Sequence, residues 1–333
     1  MCRAFGVLIT VRVMIAKGMK DNKVLTYAIV VVAIVLWGMS YIWSDTLIRL
    51  GVSVYYFLPI RILLAGLALL VFNWLSGALV KIRREDLWKF LIVALCEPLL
   101  YFLFETIGIR ETGSPTISSV IIATVPIFSI TAGVLFFREK ISLVNIVGVA
   151  VTLAGIFVVV SGQDVVSCSG NFVLGVILLL LAVLTEVGYA SFTKVLTSKY
   201  DASVIAMYQF LIGSVYFLPF FFTKGLEDFS PVYLSWAAIK PILYLAVLCS
   251  SLAFTLWAMS IDKLGVGKSS VFIAMMCVST ALVAEVIGRE SLSLWQWLGV
   301  ALAIAGIILS QRAKRNSGVR IDNSSVVNGH ATV

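Results

Sequence analysis

Ten long apolar runs divide this chain of 333 residues, at roughly 24–44, 54–76, 87–109, 115–137, 143–161, 171–194, 203–223, 234–258, 265–288 and 292–311. Each is close to the ~20 residues that a helix needs to cross a bilayer. They are continuously apolar rather than alternating, which excludes the strands of a membrane barrel. Hydrophobic residues make up 61% of the chain and charged residues only 13%, against about 45–50% and 25% in a soluble domain. A chain this poor in charge cannot cover a water-facing surface, whereas lipid accepts it, provided each backbone N–H and C=O is satisfied within its own helix. The runs therefore predict an all-α membrane protein of ten transmembrane helices, with the lipid bilayer as its main environment.

The net charge of +8 sits between the runs and orients them. With the N-terminus in the cytoplasm, the inner segments hold 17 lysines and arginines, among them Lys81, Arg83, Arg84, Lys194, Lys199 and Lys263, and the outer ones hold 4: Arg49, Arg110, Lys224 and Arg289. Positive charge stays on the cytoplasmic side, so both termini are expected there, in a multi-pass protein of the inner (plasma) membrane. Nucleic acid is not an expected partner of such a charge pattern. Residues 1–23 are expected to form an N-terminal extension. Its first 18 residues read as an untranslated upstream stretch or a loose interfacial helix rather than a signal peptide, since no small-residue cleavage site precedes Val24. Residues 312–333 are polar and read as a disordered cytoplasmic tail.

Enzymatic chemistry has little to work with. The five cysteines form no C-x-x-C pair, and the one histidine, His330, lies in the tail, so neither a metal site nor a catalytic triad is expected. No Walker motif is present, so the chain does not itself use ATP, and no cofactor is expected.

The runs fall into two related halves. Shifted by 151 residues, Arg138-Glu139 lands on Arg289-Glu290, Ser142-Leu143 on Ser293-Leu294, Gly148 on Gly299, Ala154-Gly155-Ile156 on Ala305-Gly306-Ile307, and Ser118-Ser119-Val120 on Ser269-Ser270-Val271. Apolar matches alone would be coincidence between membrane helices, but a charged pair and glycines in register are not. Five spans per half is an odd number, so the second half enters the membrane from the opposite side. Inverted repeats offer two equivalent ways to close, one toward each face. The glycines at 148 and 155, echoed at 299 and 306, allow close helix contact between the fifth and tenth spans, within a protomer or across a homodimer.

The block Pro126…Arg138-Glu139…Gly148…Ala154-Gly155, its echo at Arg289-Glu290…Gly299…Ala305-Gly306, and Trp37-Gly38 in the first span resemble the EamA-type branch of the drug/metabolite transporter superfamily. The resemblance covers both halves, 24–161 and 171–311. It implies a ten-helix fold with a central cavity between two EamA repeats, and secondary transport of amino acids and related metabolites. One departure is visible: Cys277 stands where the second repeat would carry the counterpart of Pro126, so the ninth span is expected to be straighter than the fourth.

Charge inside a bilayer costs about 2.5–3.5 kcal/mol per residue on the insertion scale, so each such residue needs a reason. Glu97 lies mid-span before Pro98, with Tyr101 and Glu105 following on one helix face. Glu97 either binds a substrate amine or a proton, or has a structural place, in an ion pair or as a protonated carboxyl hydrogen-bonded within the bundle. Arg61 either clamps a substrate carboxylate, for which its fork is suited, or pairs with Glu105 to lock the first half. Gln209 occupies the matching place in the second half, at an offset of 148. Glu186, with Tyr189 and Thr193 on its face, is the second-half counterpart of Glu97. Trp37, Ser40, Tyr41 and Ser44 form a further stripe, and Phe254 and Trp257 an aromatic wall; for these the alternative to lining the cavity is core packing. Glu285, Arg289 and the two Arg-Glu pairs read as caps and gates. The expected function is a secondary transporter of small metabolites, exporting amino acids or similar solutes by alternating access and driven by the substrate gradient or by protons. A channel or a non-transporting membrane scaffold is the alternative.

Overall fold

A computed structural model of the protein describes residues 23–128, 143–161, 171–227, 229–264, 266–288 and 293–312. The regular structure among them is all helical. In chain order it comprises α1 (Lys23–Arg49), α2 (Val54–Leu75), α3 (Leu87–Ala94), α4 (Tyr101–Thr112), α5 (Pro115–Ile122), α6 (Leu143–Ser161), α7 (Phe172–Leu196), α8 (Ala202–Phe220), α9 (Trp236–Tyr244), α10 (Ala253–Leu264), α11 (Val266–Val286) and α12 (Leu294–Arg312). Six continuous helical stretches are long and apolar enough to cross a membrane: Leu25–Arg49, Val54–Leu75, Arg84–Thr112, Phe172–Leu196, Ala202–Gly225 and Trp236–Leu264. Shorter apolar helices at Pro115–Phe128, Ile146–Gly155, Met275–Val286 and Leu294–Gly306 lie in the other four runs. Residues 1–22 of the N-terminal extension, the tail after Arg312 with His330, Cys168, and the Arg138-Glu139 and Arg289-Glu290 pairs lie outside the described residues.

Local chemistry sets the helix ends. Gly113 closes α4 in the left-handed region at φ +67°. Ser114 then starts α5, its hydroxyl accepting from the Ile117 N–H at 3.2 Å, with Pro115 in the first turn. Asn171 caps α7 in the same way, accepting from the Leu174 N–H at 3.1 Å. Pro126 cannot donate to the Ile122 carbonyl, and the fourth run is interrupted at 123–124. By contrast α11, with Cys277 in its middle, runs unbroken from Val266 to Val286, as the departure from the family pattern implied.

The third run of each half breaks in the same manner. A π-helical segment, Leu95–Leu100, joins α3 to α4, and another, Leu245–Leu252, joins α9 to α10. The two begin 150 residues apart. Helix pairing repeats the relation: α2 packs on α8, α6 on α12, α4 on α7 and, correspondingly, α10 on α1. The α6–α12 contact is reciprocal. A side chain at Gly155 would meet the backbone of Ala303 and the Gly299 carbonyl oxygen at 2.8 Å, and one at Gly306 would meet the backbone of Thr152 and the Gly148 carbonyl oxygen at 2.8 Å. Early residues of one helix face late residues of the other, so the two run antiparallel. Leucine at Gly155 or Gly306 has no space without separating the backbones. It is expected to lower stability by about 1–3 kcal/mol, the usual cost of overpacking, seen as a lower melting temperature in detergent. Leu153→Ala, on the 54%-exposed outer face, is expected to leave it unchanged.

Burial is inverted relative to a soluble protein. Phe157, Leu294 and Val286 are exposed at 72%, 88% and 86%, whereas Arg61, Glu97, Glu105 and Glu186 are all buried. Lipid solvates the first group, and the charged groups are gathered inside.

Candidate functional site

Pro98 leaves the backbone one donor short, and the third run breaks there: Glu97 departs from helical geometry (φ −147°, ψ 118°) inside the π-helical segment. This break turns the Glu97 carboxyl into the bundle. The break at Leu245–Leu252 contains no proline; there Ser251 donates to the Ala65 carbonyl at 3.1 Å and the Ala246 carbonyl at 2.9 Å, and Ser250 faces Arg61.

Between the two halves lies a narrow cavity of about 20 Å³, lined by Trp37, Ser40 and Tyr41 of α1, Arg61 of α2, Glu97, Tyr101, Phe102 and Glu105 of the third run, Glu186 of α7, Phe254 of α10, and apolar residues of the fourth and ninth runs. Nine of the twelve residues expected from the sequence line it. Tyr189, Gln209 and Trp257 do not. Trp257 stacks behind Trp37 at 5.2 Å between ring centroids, and Tyr189 packs on Phe254 at 6.1 Å. Gln209 lies next to Tyr189 rather than opposite Arg61 in the cavity. Phe254 lines the cavity and meets Trp37 at 5.0 Å, Phe210 at 5.1 Å and Phe102 at 5.9 Å.

The Arg61–Glu105 ion pair, one of the two readings of Arg61, is not formed. Among the described residues Arg61 makes no ion pair. Its Nε donates to Ser250 Oγ at 2.9 Å, its guanidinium carbon lies 4.2 Å from the centre of the Phe102 ring, and its Nη1 has no partner. The Tyr101 hydroxyl donates to Glu105 at 3.1 Å instead. An aromatic face and a hydroxyl hold the guanidinium in place without neutralising it, which leaves Nη1 without a partner beside the cavity.

Glu97 and Glu186 arrive from opposite halves of the chain. Their carboxyls lie close enough to influence each other, and Glu97 Oε2 and Glu186 Oε1 have no hydrogen-bond partner within the protein. Two carboxyls can share a hydrogen bond only through a proton. The indole N–H of Trp37 is also buried without a partner. Buried polar atoms are nearly always satisfied, and Trp37 Nε1, Tyr41 Oη, Arg61 Nη1, Glu97 Oε2 and Glu186 Oε1 around this cavity have no partner within the protein.

Sequence reasoning missed Phe102 and Ser250. Phe102 falls within the span of the Glu97, Tyr101 and Glu105 stripe without belonging to it, and no charge, proline or spacing distinguishes Ser250 from its neighbour Ser251. Glu285 is exposed and takes no part in the cavity.

These features define a multi-pass helical membrane protein with a polar cavity enclosed between its two halves. The profile of the EamA-like transporter family matches residues 24–161 and again residues 173–311. The chain belongs to that family, within the drug/metabolite transporter superfamily, and is a membrane transporter rather than an enzyme. It is 24% identical over 293 residues to the uncharacterized transporter YetK of Bacillus subtilis (strain 168), covering 87% of each chain. It is 24% identical over 285 residues to the uncharacterized inner membrane transporter YicL of Salmonella typhimurium, covering 84% of this chain and 93% of that one. A 197-residue match at 27% identity, covering 59% of this chain and 63% of its partner, is to a "probable terminal-alkyne amino-acid exporter" of Streptantibioticus cattleyicolor. A solved crystal structure shares the fold, with a TM-score of 0.66 at 15% identity over 86% of this chain and 96% of its own.

Proposed function

We propose that this protein exports amino acids or closely related zwitterionic metabolites across the inner membrane by alternating access, coupled to protons. In this reading ten spans form two inverted five-helix repeats, 24–161 and 171–311, with both termini in the cytoplasm. Arg61 receives the substrate carboxylate on its unpartnered Nη1. The Glu97–Glu186 pair takes up either the substrate amine or a proton. Binding the amine as a cation favours both carboxyls ionised, so substrate and proton compete for one place, which is the coupling an exchanger needs. Trp37, Phe102 and Phe254 pack around the apolar part, and Ser40, Tyr41, Tyr101 and Glu105 complete the polar side.

The observation that carries the proposal is the convergence of a partly free guanidinium and two facing carboxyls, contributed by both halves, on one enclosed cavity. The name of the Streptantibioticus cattleyicolor relative agrees with the substrate class. A growth screen tests it. Cells expressing the protein are expected to tolerate at least one toxic amino acid or analogue better than cells expressing Glu97→Gln. Equal sensitivity of parent, Glu97→Gln and empty-vector cells across the whole panel would contradict export of this class.

A further inference from the structure

Each half of the chain carries a short 3-10 turn before its third run, and each turn docks on the hairpin loop of the other half. Arg84–Asp86 precedes α3 and meets the loop between α7 and α8; Pro231–Leu234 precedes α9 and meets the loop between α1 and α2. The correspondence is in register. Arg84 and Pro231 open the turns 147 residues apart, and Arg49 and Leu196 end the helices before the two loops at the same separation. The contacts sit at opposite ends of the bundle. Asn73, at the end of α2, bonds Ser203 at the start of α8, while Gly225, just after α8, abuts Tyr55 at the start of α2.

The two contacts differ in chemistry. At one end Asp86, fully buried, accepts from Lys89 Nζ at 2.7 Å, from Lys199 Nζ at 3.0 and 3.1 Å, and from the Tyr200 hydroxyl at 3.1 Å, while the Arg83 N–H donates to the Tyr200 oxygen at 3.1 Å. Glu85 adds a longer ion pair to Lys199 at 3.8 Å. At the other end the link is neutral: the Tyr233 hydroxyl accepts from the Ser53 N–H at 3.1 Å and donates to the Gly51 carbonyl at 3.3 Å. Charge-assisted hydrogen bonds are roughly twice as strong as neutral ones. The Asp86 carboxylate also raises the pKa of the Lys199 ammonium above its usual value.

We infer that these are the two end seals of the cavity, and that Asp86 is the residue that holds one of them shut. Alternating access requires each seal to part while the other holds. The same turn-on-loop contact, duplicated with the chain, supplies one seal per end. Because the Asp86 seal is ionic and the Tyr233 seal neutral, the resting protein opens toward the Tyr233 end. A counterpart of Asp86 is missing from the second turn, whose residues are Pro231, Val232, Tyr233 and Leu234, so the asymmetry is built into the sequence. This inference rests on the alternating-access reading of the site.

Access to the cavity tests it without any substrate. The five cysteines are replaced by serine and Met276, which lines the cavity, by cysteine. Labelling by a membrane-impermeant thiol reagent is then followed from each face, in whole cells and in inside-out vesicles. Asp86→Asn and Lys199→Gln are each expected to raise labelling from the Lys199 face by about tenfold or more, the population shift that follows from losing a hydrogen bond to a charged group. Tyr233→Phe is expected to raise labelling from the opposite face only. Lys199 is 40% exposed, so its substitution serves if Asp86→Asn fails to fold. Unchanged labelling from the Lys199 face in a folded Lys199→Gln protein would overturn the assignment, as would a rise from both faces at once. If labelling shifts as expected but the parent moves no solute, the seals stand and the transport reading falls; if transport is normal and labelling does not respond, the reverse holds.

Discussion

With glutamine in place of Glu97, transport is expected to lose its pH dependence and to fall by roughly tenfold or more, the loss expected when the charge-assisted hydrogen bond to the substrate amine is removed. Glutamine matches glutamate in size and still donates a hydrogen bond to Glu186, so the kinked segment and its packing survive. What disappears is the second ionisable partner. Glu186 alone cannot alternate between sharing a proton and releasing it to a substrate amine. The measurement is uptake into proteoliposomes over a series of external pH values, with and without an imposed pH gradient. The parent rate is expected to follow the gradient and the Glu97→Gln rate to be small and flat. A variant as fast as the parent, with the same pH profile, would remove Glu97 from coupling. Glu186→Gln is expected to behave alike, because the two carboxyls act as one unit.

Arg61 carries the second large effect. Arg61→Met keeps the length of the side chain and its packing on Phe102, 4.2 Å away, but removes the N–H edge beside the cavity. Half-saturation is expected to rise by about 10- to 100-fold, the range for one or two hydrogen bonds to a carboxylate. Lysine restores charge without the fork, so Arg61→Lys falls between. Ser250→Ala leaves Nε without its acceptor and is expected to show a smaller rise, since Phe102 still holds the plane. A purely structural arginine would behave differently: Arg61→Met would lower the melting temperature and leave the half-saturation concentration of the remaining folded protein unchanged.

Most of this architecture is visible in the sequence because the bilayer imposes a simple rule. Long apolar runs announce helices, and a charge within such a run announces an interior. Glu97, Glu105, Arg61 and Glu186 were legible for that reason alone, and all four line one cavity. The glycines at 155 and 306 were legible as close-contact positions because a chain rarely spends glycine inside a helix otherwise. The partners of these residues were not legible. The choice of Ser250 over Glu105 as the partner of Arg61 depends on a π-helical turn at Leu245–Leu252 that carries no proline to betray it. Gln209 matched Arg61 in register yet does not line the cavity; it lies next to Tyr189, which packs on Phe254. Asp86 stands among the charges of the polar connection 81–86, which the sequence does not set apart; only the fold shows it fully buried under the opposite half.

The most direct test of carrier function is counterflow. Proteoliposomes are loaded with a high concentration of an unlabelled amino acid identified in the growth screen, then diluted into a trace of the labelled compound. A carrier that exposes one site alternately to each face is expected to accumulate label transiently above its equilibrium level, with a rate that saturates as substrate rises. Label that only equilibrates, at a rate linear in concentration, would show an open pore and contradict alternating access through the Arg61–Glu97–Glu186 site.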